Sequence, residues 1–169
     1  GHYLPKRIVP NSEFEKTLNT SNDWIITRSG IEQRHFSNED ETTSKMAILA
    51  GKQAIEDANI EVSDLDAIIL ATSTADLTFP SAATMVQAGL GMRHGFAYDV
   101  QAVCAGFIFA LSTANAQIVS GQANRILVIG SETFSNLMDW NDRSTCVLFG
   151  DGAGAVVLES QNSNGTKED

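Results

Sequence analysis

Three short apolar runs alternate with segments of helical spacing, and this alternation restricts the fold more than any other feature of the chain. The runs are "LDAIILATS" (65–73), "GFAYDVQ" (95–101) and "RILVIGSE" (125–132). Each has the length of a strand rather than of a free helix. Between them lie "PSAATMVQAGLG" (80–91), with Pro80 near a helix start and Gly89 or Gly91 at its end, and "CAGFIFALSTANAQIVSGQ" (104–122), which ends at Gly121. Strands joined through helices imply a largely parallel α/β sheet with helices on its faces. "CVLFGDGAGAVVLES" (146–160) reads as two strands joined by a glycine-rich turn, an antiparallel addition near the end.

The front of the chain carries three further helical signals. "NSEFEKTL" (11–18) predicts a short helix capped by Asn11 or Ser12. In "TSNDWIITRSGI" (20–31), Ser21 or Asn22 is a cap and Gly30 a stop. "TTSKMAILAGKQAIEDANI" (42–60) is the clearest helix, with Ala47, Ala50, Ala54 and Ala58 as a close-packing face. Residues 1–160 read as one domain, and "QNSNGTKED" (161–169) as a polar linker or loop. The opening "GHYLPKRIVP" has neither the form of a signal peptide nor that of a natural start, so the chain reads as cut at its front.

Charge narrows the partners. With 11 basic and 21 acidic side chains the net charge is −10, a field that repels phosphate backbones and anionic lipid. Nucleic-acid binding is not expected. No apolar run approaches the roughly 18 residues of a membrane span. The two cysteines, Cys104 and Cys146, have no CxxC partner, which argues against a zinc site or a disulfide framework and for a reducing, cytoplasmic setting.

Cys104 can be read as a small core hydrophobe or as a nucleophile. Its place favours the second. A strand ending near Gln101 and a helix starting near Cys104 put the sulfur at the carboxyl edge of the sheet, where open α/β folds bind ligands. The positive end of a helix favours a thiolate, and its free N–H groups can stabilise an oxyanion. Cys146, in "STCVLF", reads as strand packing. Trp24 and Arg28, four residues apart, share one helix face; by spacing alone this is a buried indole beside a surface cation. "GDGAGA" (150–155) is followed by the strand-like "VVLES", so a dinucleotide loop is not indicated. His2, His35 and His94 stand isolated, none at metal-ligand spacing.

Taken together and in order, "TSNDWIITRSGI", "TFPSAATMVQ", "DVQAVCAGFIFAL" and "CVLFGDGAGAVVL" resemble the β-ketoacyl-[acyl carrier protein] synthase III family of condensing enzymes. The resemblance implies a thiolase-like fold: one half, the N-terminal one, of a two-fold pseudo-repeat, with a layered, mostly parallel sheet flanked by helices. It implies that Cys104 takes an acyl group, typically acetyl, from acyl-CoA. Decarboxylative condensation with malonyl-[acyl carrier protein] then initiates type II fatty acid synthesis. It assigns Trp24, Arg28 and Arg143 to coenzyme A, and Phe79 to a dimer interface that walls the partner's acyl pocket. Ser29 stands where the family has threonine, and Val103 where it has alanine. The resemblance further implies a homodimer, acyl-CoA and acyl carrier protein as partners, and no metal or cofactor beyond the thioester substrate. The family's enolate-stabilising histidine and asparagine belong to motifs absent from this stretch, so the chain alone is expected to be incomplete for condensation. Other readings are a hydroxymethylglutaryl-CoA synthase or polyketide starter synthase type of enzyme, and a non-catalytic acyl-CoA-binding module.

Overall fold

The structure is a computed structural model and describes residues 1–161. Its main sheet has five strands: β1 (His2–Tyr3), β4 (Ala67–Ala71), β5 (Phe96–Val100), β6 (Arg125–Thr133) and β7 (Asp151–Glu159). Their spatial order is β1-β7-β6-β4-β5. β4 runs parallel to both β5 and β6, while β7 is antiparallel to β6 and β1 antiparallel to β7. The mixed, mostly parallel core with a late antiparallel strand follows the sequence expectation.

β4 is buried along its whole length, and its side chains divide by parity between two cores. Ile68 and Leu70 pack with Leu127 and Ile129 under α3 (Thr43–Asp57) and α4 (Ala82–Leu90). Ala67, Ile69 and Ala71 pack with Ile126 and Val128 under α5 (Gly106–Val119). Small residues let both helix layers lie close. α3 buries Ala47, Ala50 and Ala54, and α5 buries Gly106, Ala110 and Ala114, one residue per helical turn. Ala58 does not extend the α3 face: it caps the helix and is exposed.

A second, two-stranded sheet pairs β2 (Arg7–Pro10) with β3 (Gln33–Phe36), and the sequence reading had not resolved it. With α1 (Asn11–Phe14) and α2 (Asn22–Ser29) it encloses Val9, Phe14, Ile25, Phe36, Cys146 and Val147. α2 has the caps read from sequence. Ser21 Oγ accepts from the Trp24 N–H at 3.1 Å, and Gly30 closes the helix at φ 71°. α4 is likewise capped by Ser81 and Gly91.

The structure corrects three local readings. α1 is one turn long, and neither Asn11 nor Ser12 caps it; the buried Asn11 amide instead donates to the Ile31 carbonyl at 2.8 Å and to Asn22. Residues 151–159 form one strand, not the end of a hairpin. Ladders to β6 on one side and β1 on the other hold "DGAGA" extended. Cys146 accordingly lies in a run of turns before β7, although it is fully buried as expected. Of the tail read as a linker, residues 162–169 lie outside the described residues.

Candidate active site

The carboxyl ends of β4, β5 and β6 open on one edge, and the chain turns there from β5 into α5. The turn is a short 3₁₀ segment, Val103–Ala105, so Cys104 precedes α5 by two residues. Val103 adopts φ 48°, a left-handed conformation that is costly for a β-branched residue. Gly106 opens α5 against the sheet: a Cβ there would stand 3.4 Å from that of Ala71. No side chain caps the amino end of α5; the 3₁₀ turn leads straight into it, with the Ala105 N–H donating to the Ala102 carbonyl at 3.1 Å and the Gly106 N–H to the Val103 carbonyl.

Cys104 is exposed and lines a cleft of about 350 Å³. Leu4, Phe107, Gly130, Glu132, Gly152 and Gly154 also line it. None of these six was singled out from sequence. Gly152 and Gly154 had a visible signal in "GDGAGA", but they lie in a strand that floors the cleft rather than in a turn. At Gly152 a Cβ would come within 3.2 Å of the Leu4 side chain. Glu132 is engaged rather than free: its carboxylate accepts from the Ser73 N–H at 2.8 Å and from the Thr74 hydroxyl, tying the end of β6 to the loop leaving β4.

That loop continues to Phe79, which is 81% exposed and does not line the cleft. The loop ends where Asp99 of β5 accepts from Ala82 N–H at 2.9 Å and Ala83 N–H at 2.7 Å, anchoring the start of α4.

A second constellation assembles on α2. The Arg28 guanidinium carbon lies 4.4 Å from the centroid of the Trp24 ring, and that of Arg143 lies 4.8 Å from it. Arg143 also donates to the Asn19 carbonyl. Among the described residues neither arginine forms an ion pair. Two unneutralised guanidiniums on one half-buried indole suit a ligand that joins an aromatic ring to anionic groups.

No histidine lines the cleft. A ring nitrogen of His35 faces the Pro5 carbonyl at 2.5 Å. Among the described residues no group of three or more His, Cys, Asp or Glu side chains could hold a metal ion. No helix among them is long and apolar enough to cross a membrane.

Comparison with known proteins adds independent information. Residues 98–168 match the family described as 3-Oxoacyl-[acyl-carrier-protein (ACP)] synthase III. The whole chain is 71% identical to a Beta-ketoacyl-[acyl-carrier-protein] synthase III of Roseobacter denitrificans and 69% identical to one of Ruegeria pomeroyi, covering 52% of each. A crystal structure of 3-oxoacyl-[acyl-carrier-protein] synthase III from Aquifex aeolicus VF5 superposes with a TM-score of 0.93 at 50% identity, over 96% of this chain and 52% of that one. The chain thus spans about half the length of the relatives it matches.

Proposed function

Because the chain belongs to the β-ketoacyl-[acyl-carrier-protein] synthase III family, with its thiolase-like fold, we propose that it carries the acyl-accepting half of a condensing enzyme that initiates type II fatty acid synthesis. One observation carries this reading: the exposed Cys104 stands in a cleft at the carboxyl edge of the sheet, in the short turn just ahead of the amino end of α5.

The chemistry follows from that position. The Cys104 thiolate attacks the carbonyl carbon of an acyl-CoA, and the tetrahedral oxyanion takes hydrogen bonds from backbone N–H groups. Collapse expels coenzyme A as its thiolate and leaves an acyl thioester on Cys104. Trp24, Arg28 and Arg143 hold the nucleotide end of the donor meanwhile, the ring against indole and guanidinium and the phosphates against the cations. Malonyl-[acyl carrier protein] then loses carbon dioxide, its carbanion attacks the acyl thioester, and the Cys104 thiolate leaves.

Decarboxylation builds negative charge on the malonyl thioester oxygen, which requires donors aimed at it. None of the three histidines lines the cleft, so the 169-residue chain on its own is expected to take an acyl group without condensing it. The enzyme works as a homodimer, supported by the exposed Phe79, and needs no cofactor beyond its thioester substrates. Two free cysteines suit a reducing compartment, and we place the reaction in the cytoplasm.

Mass spectrometry after incubation with acetyl-CoA tests the assignment. A gain of one acetyl group, mapped to Cys104, supports it. Tight coenzyme A binding without acylation would make the protein a binding module instead.

A further inference from the structure

Arg34 is a buried cation without an anion. The residue is 6% exposed, and among the described residues it forms no ion pair. Burial pulls its pKa below the usual arginine value, the direction expected of a cation withdrawn from water. A guanidinium held this way is unfavourable unless its donors do specific work. Two of its nitrogens bond backbone from distant parts of the chain: Nη1 donates to the Val9 carbonyl at 3.1 Å and Nη2 to the Val147 carbonyl at 2.8 Å. Its flat face lies 4.6 Å from the Phe14 ring centroid.

The second of those carbonyls matters most. Residues 139–150 belong to no strand or helix, and their internal backbone bonds are short turns such as Thr145 N–H to Asp142 carbonyl. This segment carries Arg143. It is held to the rest of the protein by the Arg34–Val147 bond, by the Arg143 bond to the Asn19 carbonyl, by burial of Cys146 and Val147, and by Trp140 against Phe14 and Phe36 at 6.5 and 5.2 Å. Gly150 lets the segment close over Arg34, for a Cβ there would stand 2.9 Å from the Arg34 Cβ. Trp24 packs against the same buried cluster from α2. Arg34 thus bonds the segment that carries Arg143, and the buried cluster around that segment is the one Trp24 packs against.

We propose that Arg34 is a positioning residue, whose two carbonyl bonds tie the 139–150 segment to β2 so that Arg143 is held over Trp24, and that it thereby sets affinity for the nucleotide end of the acyl donor. This rests on the reading of Trp24, Arg28 and Arg143 as the coenzyme A site.

The test uses the full-length protein with Arg34→Met, Arg34→Lys, Arg143→Ala and the double variant Arg34→Met/Arg143→Ala. Coenzyme A affinity is measured beside the rate of Cys104 acetylation by S-acetyl-N-acetylcysteamine, a donor without a nucleotide. Arg34→Met is expected to weaken coenzyme A binding by roughly tenfold or more, the size of one lost charge-assisted contact. Acetylation by the short donor stays within about twofold, and Arg34→Met adds almost nothing in the Arg143→Ala background, because residues acting through one another are not additive. Arg34→Lys, which keeps the charge but not the two-pronged reach, falls between. Unchanged coenzyme A affinity, equal losses with both donors, or full additivity with Arg143→Ala would each overturn the proposal. If Arg34→Met does not fold, Gly150→Ala displaces the same contact and is held to the same outcomes. If the wild-type protein does not favour coenzyme A thioesters over the short donor, the coenzyme A reading is what fails. The positioning claim is then decided by 19F NMR of 5-fluorotryptophan at Trp24, whose resonance must move in Arg34→Met as it does in Arg143→Ala.

Discussion

Gly130 of β6 lies directly opposite Gly154 of β7, and a Cβ at Gly130 would stand 3.3 Å from the Phe107 ring. Both glycines line the cleft that holds Cys104. Filling this floor should cost reach rather than chemistry. Gly130→Ala is expected to accept acetyl from acetyl-CoA within a few-fold of wild type and to lose acylation by longer or branched acyl-CoA donors. Rates of acyl-enzyme formation across a donor series measure this; an equal loss for every donor would show that the glycine serves folding alone.

Val103, at φ 48°, is the one β-branched residue in a left-handed conformation among the described residues. That conformation costs an L-residue about 1–2 kcal/mol. Glycine removes the strain and adds about 0.5–1 kcal/mol of unfolded-state entropy. Val103→Gly should therefore be stabilising by up to about 1 kcal/mol, read as a higher denaturant midpoint. A clearly lower midpoint would mean that Val103 packing outweighs its backbone strain.

Cys104 is exposed, so its sulfur contributes little to packing. Cys104→Ala is expected to shift stability by no more than about 0.5 kcal/mol, as for other surface changes, while acyl-enzyme formation disappears. Intact mass spectrometry after acetyl-CoA treatment checks the second part. An acyl adduct that survives in the variant would remove Cys104 from the role of nucleophile.

Arg28 lies against Trp24 with no carboxylate partner among the described residues. Arg28→Ala should raise KM for acyl-CoA roughly tenfold, as loss of a charge-assisted phosphate contact of about 1.5–3 kcal/mol implies. Kinetics with a donor that lacks the nucleotide should hardly change. Parallel losses with both donors would assign Arg28 to folding.

Asp66 precedes β4 and accepts from the N–H groups of Arg125 at 3.0 Å and Asn124 at 2.6 Å. These bonds, Arg125 first, hold its carboxyl below the usual aspartate range. The folded pKa lies below the unfolded value of about 3.9. The stabilisation is therefore complete above that value and is lost as pH falls through the folded pKa. Asp66→Asn should be less stable at neutral pH and should show a shallower decline in acid. Thermal melts across an acid series decide the point; an unchanged acid slope would exclude Asp66 as a contributor.

Much of the framework was legible from short-range signals. The start of α2 at Ser21 or Asn22, its stop at Gly30 and the end of α4 at Gly89 or Gly91 were readable because caps depend on bonds within a few residues; the structure chose Ser21 and Gly91 and added Ser81 as the cap of α4. The continuous burial of "AIILA" likewise announced a strand covered on both faces. Cys104 was recognisable because a strand-to-helix junction is itself a local object.

Other features depend on contacts made across the chain. "DGAGA" is a strand because β6 and β1 pair with it, and nothing within the segment distinguishes that from a turn. Nothing local marks Glu132; its role comes from the loop after β4, whose Ser73 N–H and Thr74 hydroxyl donate to it. Arg34 resembled any charge in a polar stretch, yet Val9 and Val147 enclose it. The sequence alone determined the alternation of the central strands β4, β5 and β6 with helices α4 and α5, and the place of the candidate nucleophile, because periodicity and caps act over a turn or two. Only the tertiary structure decided which glycines floor the cleft, which cation is buried and which arginine meets Trp24. Those outcomes depend on which distant segments approach each other, and local spacing carries no record of that.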